Sequence, residues 1–189
     1  MRIQQSKIGD ILKINFWIFI AIILILFLQE NVIYPIEKKI IDLSSLDYVS
    51  LLFLPHGIKI IAYFLYRKLS IIPIFLAPFI YGLTFPIDIG HFFGCLIGLA
   101  SIIIGFFICS YLLKPIAINN LKLPLWRQFV VAIIISCLIN SILQSVIASI
   151  DFKDYNLNIF FLFGDLLGSL SITCIIMLFR RQLIRILNL

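Results

Sequence analysis

Lysine at position 59 and aspartate at position 165 each stand inside a stretch otherwise apolar enough to cross a bilayer. A charge in hydrocarbon costs at least ~2.5–3.5 kcal/mol on insertion scales, so such groups normally face a bundle interior and find a partner there. His56, Lys59 and Tyr63 follow i, i+3, i+7 spacing and share one helix face. Asn140 and Gln144, one turn apart, belong to a small and polar stripe with Cys137, Ser141, Ser145 and Ala148, and Asp165 sits between Gly164 and Gly168. Two chemistries are open to this set. Lys59 and Asp165 can form a buried structural pair that fixes helix register, or they can build a ligand, ion or coupling site. His56 suits either a pH-responsive role or an ordinary hydrogen bond within a bundle. Asn140 and Gln144 suit interhelical hydrogen bonding as well as ligand contact.

Catalytic arrangements do not emerge. The sequence holds no GxSxG, HExxH, P-loop or Rossmann glycine pattern. Its two histidines fall on separate expected helices, which makes no metal site. No catalytic residue, metal or cofactor is therefore expected, and the chain does not read as an enzyme.

The elements that must hold these residues follow from composition. Of 189 residues, 62% are hydrophobic and only 13% charged, with a mean hydropathy of +1.15. Average chains carry about 25% charged residues, so this one cannot cover itself with charge and lipid must be its solvent. Cys95, Cys109, Cys137 and Cys174 all lie in apolar stretches, in no CxxC pair, and read as small packing residues. A spanning helix needs roughly 20 mostly apolar residues. Six candidate spans result, at 14–34, 49–66, 69–87, 91–113, 127–149 and 158–180. The third is interrupted by Pro73, Pro78 and Pro86, and is expected to kink. The first has no A-x-A-like cleavage site and reads as an anchor. The expected fold is all-α: one polytopic membrane helix bundle over residues 1–189, with no soluble catalytic or DNA-binding domain and no nucleic-acid partner.

Charge placement orients it. Six crossings put Arg2, Lys7, Lys13, Arg67, Lys68, Lys114, Lys122, Arg127, Arg180, Arg181 and Arg185 on one side, and only Lys38, Lys39 and Lys153 on the other. The positive-inside rule then predicts cytoplasmic termini, in a multi-pass protein of the cell inner (plasma) membrane. Of the acidic residues, Glu30, Glu37, Asp42, Asp47, Asp88, Asp151 and Asp154 fall outside and Asp10 inside. With a rise of ~1.5 Å per residue, Lys59 lies about 15 Å and Asp165 about 10 Å below the outer ends of their spans. Asn140 and Gln144 fall at comparable depth, which predicts one polar cavity opening outward. Gly90, Gly94 and Gly98, and again Gly164 and Gly168, recur every four residues. Such faces allow close helix packing, within the chain or in a homodimer.

Phe53-Leu54-Pro55-His56-Gly57, then Tyr66-Arg67-Lys68 and Ile72-Pro73, resembles the opening of the MASE1 membrane sensory module. Asn140-Ser141 and Gly164-Asp165-Leu166-Leu167-Gly168 are similar to its closing helices. The resemblance runs from about residue 12 through nearly the whole chain. It implies a sensory module whose functional centre includes the Pro55–Gly57 and Asp165 segments. MASE1 modules usually carry more spans and precede kinase or diguanylate cyclase domains, so a module like this one is expected to relay its signal through a membrane or cytoplasmic partner. The leading expectation is recognition of a small ligand or ion from the outer side. The alternatives are a small-molecule transporter component of the vitamin-binding membrane subunit type and a structural membrane assembly subunit.

Overall fold

The structure is a computed structural model. It describes residues 2–41, 50–84, 89–112, 125–152 and 157–187, and the side-chain surroundings of 9–40, 50–84, 91–112, 127–146 and 159–178. Several loop charges used for orientation (Asp42, Asp47, Asp88, Lys114, Lys122, Lys153 and Asp154) lie outside the described residues, as do Pro86 and the surroundings of Gly90.

All regular elements among the described residues are helical: α1 (Arg2–Leu28), α2 (Tyr34–Ile41), α3 (Leu54–Tyr66), α4 (Ile71–Gly82), α5 (Ile89–Leu112), α6 (Leu125–Phe152) and α7 (Leu157–Leu187). A π-helical turn, Gln29–Ile33, joins α1 to α2, and a 3-10 turn, Arg67–Ser70, joins α3 to α4. Five helical segments are long and apolar enough to cross a membrane: Gly9–Ile40, Leu54–Gly82, His91–Leu112, Arg127–Val146 and Ile159–Leu178. Their outward surface carries Trp17, Phe107, Met177 and Leu178, each more than half exposed. The interior holds Ile22, Ile60, Ile102 and Ala132 with no exposed surface. Large exposed apolar side chains around such a core suit a lipid solvent.

Leu54–Gly82 spans the second and third expected crossings, and it is not one straight helix. At Arg67 the backbone takes φ 51° and ψ −125°, the only positive φ at a non-glycine among the described residues. The Ser70 hydroxyl then donates to Arg67 O at 2.8 Å and closes the turn. The two arms run in opposite directions. Gln29 at the end of α1 touches the start of α3, while its near neighbour Asn31 hydrogen-bonds Tyr81 at the end of α4. The arms have 13 and 12 residues, or about 20 and 18 Å at the usual rise. Pro73 and Pro78 both lie in regular α4. Pro55 sits in the first turn of α3, where its missing N–H costs nothing, and the helix continues unbroken through Gly57.

Glycine contacts set the remaining packing. α5 and α6 run antiparallel, with Gly94 facing Gln144, Gly105 facing Ser136, and Cys109 Sγ donating to Gln128 O at 3.1 Å. α7 runs alongside α3. Gly164 faces Ser50, Gly168 faces the backbone of Phe53 and Leu54, and Gly57 faces Ser169 and Ile172. Phe53 N–H donates to Gly164 O at 3.0 Å and fastens this contact. Both α7 glycines thus meet the same chain.

Candidate ligand-binding site

Where α3, α5, α6 and α7 meet, Lys59, His56, Asn140 and Asp165 are all buried, each 6% exposed or less. Each helix brings its residue there for a local reason. Glycine at 57 and 168 lets α3 and α7 approach at backbone distance, so Lys59 and Asp165 fall on facing surfaces. In an α-helix the Cα–Cβ bond leans toward the N-terminus. Lys59 therefore extends toward the Leu54 end of α3, away from Arg67. Its Nζ lies 3.8 Å from where a Cβ on Gly98 would stand, which places it against α5. The antiparallel register of α5 and α6 pairs Gly94 with Gln144 and brings Asn140 level with Gly98. The polar groups therefore share one layer, about two turns from His91 at the start of α5.

Inside the layer, Asn140 Nδ2 donates to Asp165 Oδ2 at 2.6 Å. Lys59 and Asp165 feel each other's charge but do not touch: among the described residues no carboxylate lies within the 4.0 Å ion-pair distance of Nζ. Asn140 Oδ1 and His56 Nε2 are buried with no hydrogen-bond partner. Since most buried polar atoms in folded proteins are paired, these two atoms, in the layer that also holds Lys59, are exceptions. Ser136 Oγ and Asn15 Oδ1 are the other unpaired buried atoms among the described residues.

Further polar contacts lie between this layer and the α4–α5 end of the bundle. Gln144 Nε2 donates to Gly94 O at 3.1 Å. Cys95 Sγ, which lies in the field of Lys59, is 3.6 Å from His91 Nε2. His91 Nε2 in turn lies 3.1 Å from Pro78 O and ties the start of α5 to α4.

Tyr63 is not part of the layer. Its ring packs on Phe106 at 5.1 Å, one turn further along α3, among the apolar residues of the core. Gly90 lies in α5, with its surroundings outside the described residues. Among the described residues no group of three His, Cys, Asp or Glu is placed to hold a metal ion.

One part of the surrounding frame left little trace in the sequence. Gln29, 2% exposed in the π-helical turn, accepts from Leu54 N–H at 3.1 Å and donates to Ser50 Oγ at 2.8 Å. Ser50 Oγ donates to Glu37 Oε2 at 2.7 Å, which also accepts from Leu51 N–H. This chain of bonds gives Leu54 N–H a side-chain acceptor beside Leu52 O, which it reaches at 3.1 Å, and anchors the helix that carries His56 and Lys59. The polar run Gln29-Glu30-Asn31 after an apolar stretch was the available signal.

No protein-family model, no curated protein and no solved structure matches this chain.

Proposed function

We propose that this chain is a multi-pass inner-membrane protein that binds a small polar ligand or ion in the Lys59–Asp165 layer, entered from the outer side past His91 and Cys95. The observation that carries this reading is the unmatched polarity of the layer. Among the described residues no acceptor is bonded to Lys59, while Asn140 Oδ1 and His56 Nε2 are buried without partners. A ligand offering an acceptor to Lys59 and a donor to Asn140 Oδ1 completes the set, which favours a small zwitterion, a hydroxy-carboxylate, or an ion that brings water. In the MASE1-like reading, such binding re-spaces Lys59 and Asp165, shifts α3 against α7, and re-aims the basic turn at Arg67 toward a signalling partner.

The hairpin supports the orientation. Five straight crossings would place the termini on opposite sides, whereas a reversal at Arg67 returns them to the same side. The arms α3 and α4 are each shorter than the roughly 20 residues of a full span, so the six-pass reading counts them as short passes, with Arg67, Lys68 and Arg127 on the terminal side, which the positive-inside rule makes cytoplasmic.

The test is the thermal unfolding midpoint of detergent-purified protein across a panel of metabolites and ions, for wild type and Asp165→Asn. A compound that raises the midpoint of wild type and not of the variant is the expected result. No stabilisation by any compound, together with a large loss of stability in Asp165→Asn, would make the layer scaffolding and reject the proposal.

A further inference from the structure

A second site lies at the opposite end of the bundle, where α3 turns into α4. A cleft of about 30 Å³ is lined there by Phe64, Arg67, Phe106, Cys109, Ser110 and Gln128. The Arg67 guanidinium carbon stands 5.1 Å from the Phe106 ring centre and 5.9 Å from that of Phe64. Contact with two rings engages the π-facing side of the guanidinium, and the N–H donors along its edge remain available for an acceptor in the plane of the group. No carboxylate or carbonyl among the described residues engages that edge.

The backbone makes the choice of arginine informative. At φ 51° and ψ −125°, position 67 has a conformation that glycine adopts freely and other residues resist. A side chain retained at a strained position points to a role for that side chain. The cation–π contacts fix where the guanidinium points, and it points into the cleft. Ser110 and Gln128 supply a hydroxyl and an amide beside it. Ser110 now donates to Phe107 O within its own helix at 2.7 Å, a bond that a stronger acceptor would displace. The Cys109–Gln128 bond holds α5 and α6 together beneath them.

We propose that this cleft binds the phosphate of an anionic phospholipid, forked by the Arg67 guanidinium and flanked by Ser110 and Gln128. A planar guanidinium matches phosphate oxygens in pairs. The rim selects lipid over free phosphate. Leu65, Phe107 and Tyr111, next in sequence to the lining residues Phe64, Phe106 and Ser110, are each more than 60% exposed, a surface suited to acyl chains and not to water. The cleft admits only part of a headgroup, so the phosphate sits at its mouth with the tails along these side chains. The site is independent of the ligand layer, which lies nearer the other end of α5.

Native mass spectrometry and thermal unfolding of the full chain in neutral detergent test this, with phosphatidylglycerol, phosphatidylcholine or inorganic phosphate added. Wild type is expected to retain a phosphatidylglycerol molecule and to gain several degrees from it, and to gain little from phosphatidylcholine or inorganic phosphate. Arg67→Gly relieves the backbone and is expected to fold in neutral detergent at least as well, yet to lose the phosphatidylglycerol gain. Arg67→Lys keeps the charge but not the fork, and is expected to lose most of the gain; it serves as the reading should the glycine variant fail to fold. Lys68→Gly, in the same turn, is expected to keep it. Retention of the gain in Arg67→Lys or Arg67→Gly, or equal gains from both lipids, would overturn the site. An equal gain from inorganic phosphate would overturn the lipid assignment.

Discussion

Replacing Gly168 by alanine tests the contact on which the layer depends. A Cβ at 168 would stand 2.9 Å from Leu54 N and still closer to the carbonyl of Phe53. These are backbone atoms, so no side chain can rotate aside. Ordinary carbon contacts need about 3.5–4.0 Å, so α7 and the start of α3 must move apart by roughly 1 Å or more. That movement stretches the 3.0 Å bond from Phe53 N–H to Gly164 O beyond hydrogen-bonding range. Overpacking costs about 1–3 kcal/mol and a lost hydrogen bond about 0.5–1.5 kcal/mol, for a total of roughly 1.5–4.5 kcal/mol. The same shift separates Lys59 from Asp165, so ligand stabilisation should fall along with stability. Thermal unfolding in detergent measures both, with Leu170→Ala, a 45% exposed position on the same helix, as the control. An unfolding midpoint unchanged by Gly168→Ala and matching that control would refute the close α3–α7 packing.

Two further substitutions probe the frame. Gln29→Leu removes both bonds that tie the π-helical turn to the start of α3 and leaves Leu54 N–H without its side-chain acceptor; a loss of about 1–3 kcal/mol is expected, read from the same unfolding midpoint. In the layer itself, Asn140→Leu removes the described donor to Asp165 and should cost about 1.5–3 kcal/mol, the range for a hydrogen bond to a charged group. Asn140→Asp preserves shape but sets a second carboxyl beside the first, so it should lower the midpoint further than the leucine variant does; the reverse order would show that Asn140 does not serve Asp165 as a donor.

What could be read from the chain depended on contrast with an apolar background. Lys59, Asp165, Asn140 and Gln144 stood out because hydrocarbon tolerates so few polar groups, and the structure gathers His56, Lys59, Asn140 and Asp165 into one layer. Tyr63 was assigned to the same face by periodicity alone. Helical spacing specifies direction but not height, and one turn beyond Lys59 the facing residue on α5 is Phe106. Gln29 and Glu37 lie where the first apolar stretch ends and Ser50 where the second begins, so they resemble solvated interface residues; only tertiary packing turns Gln29 inward. The glycine spacings pointed to close packing but not to its partner, which for Gly164 and Gly168 is irregular chain before α3 and not another helix face. The reversal at Arg67 had no local signature, because an arginine in a glycine-like conformation is the residue that propensity argues against.

The most direct test of a ligand site in the layer is the double variant Lys59→Met with Asp165→Leu, measured for unfolding midpoint and for ligand-induced stabilisation beside wild type. Exchanging buried opposite charges for apolar groups of similar volume is often neutral, or stabilising by about 1–4 kcal/mol. The expected result is a variant that folds at least as stably as wild type and gains nothing from the compounds that stabilise wild type. A variant that is still stabilised by those compounds would contradict the site, and one that is itself severely destabilised would show that the two charges serve the fold.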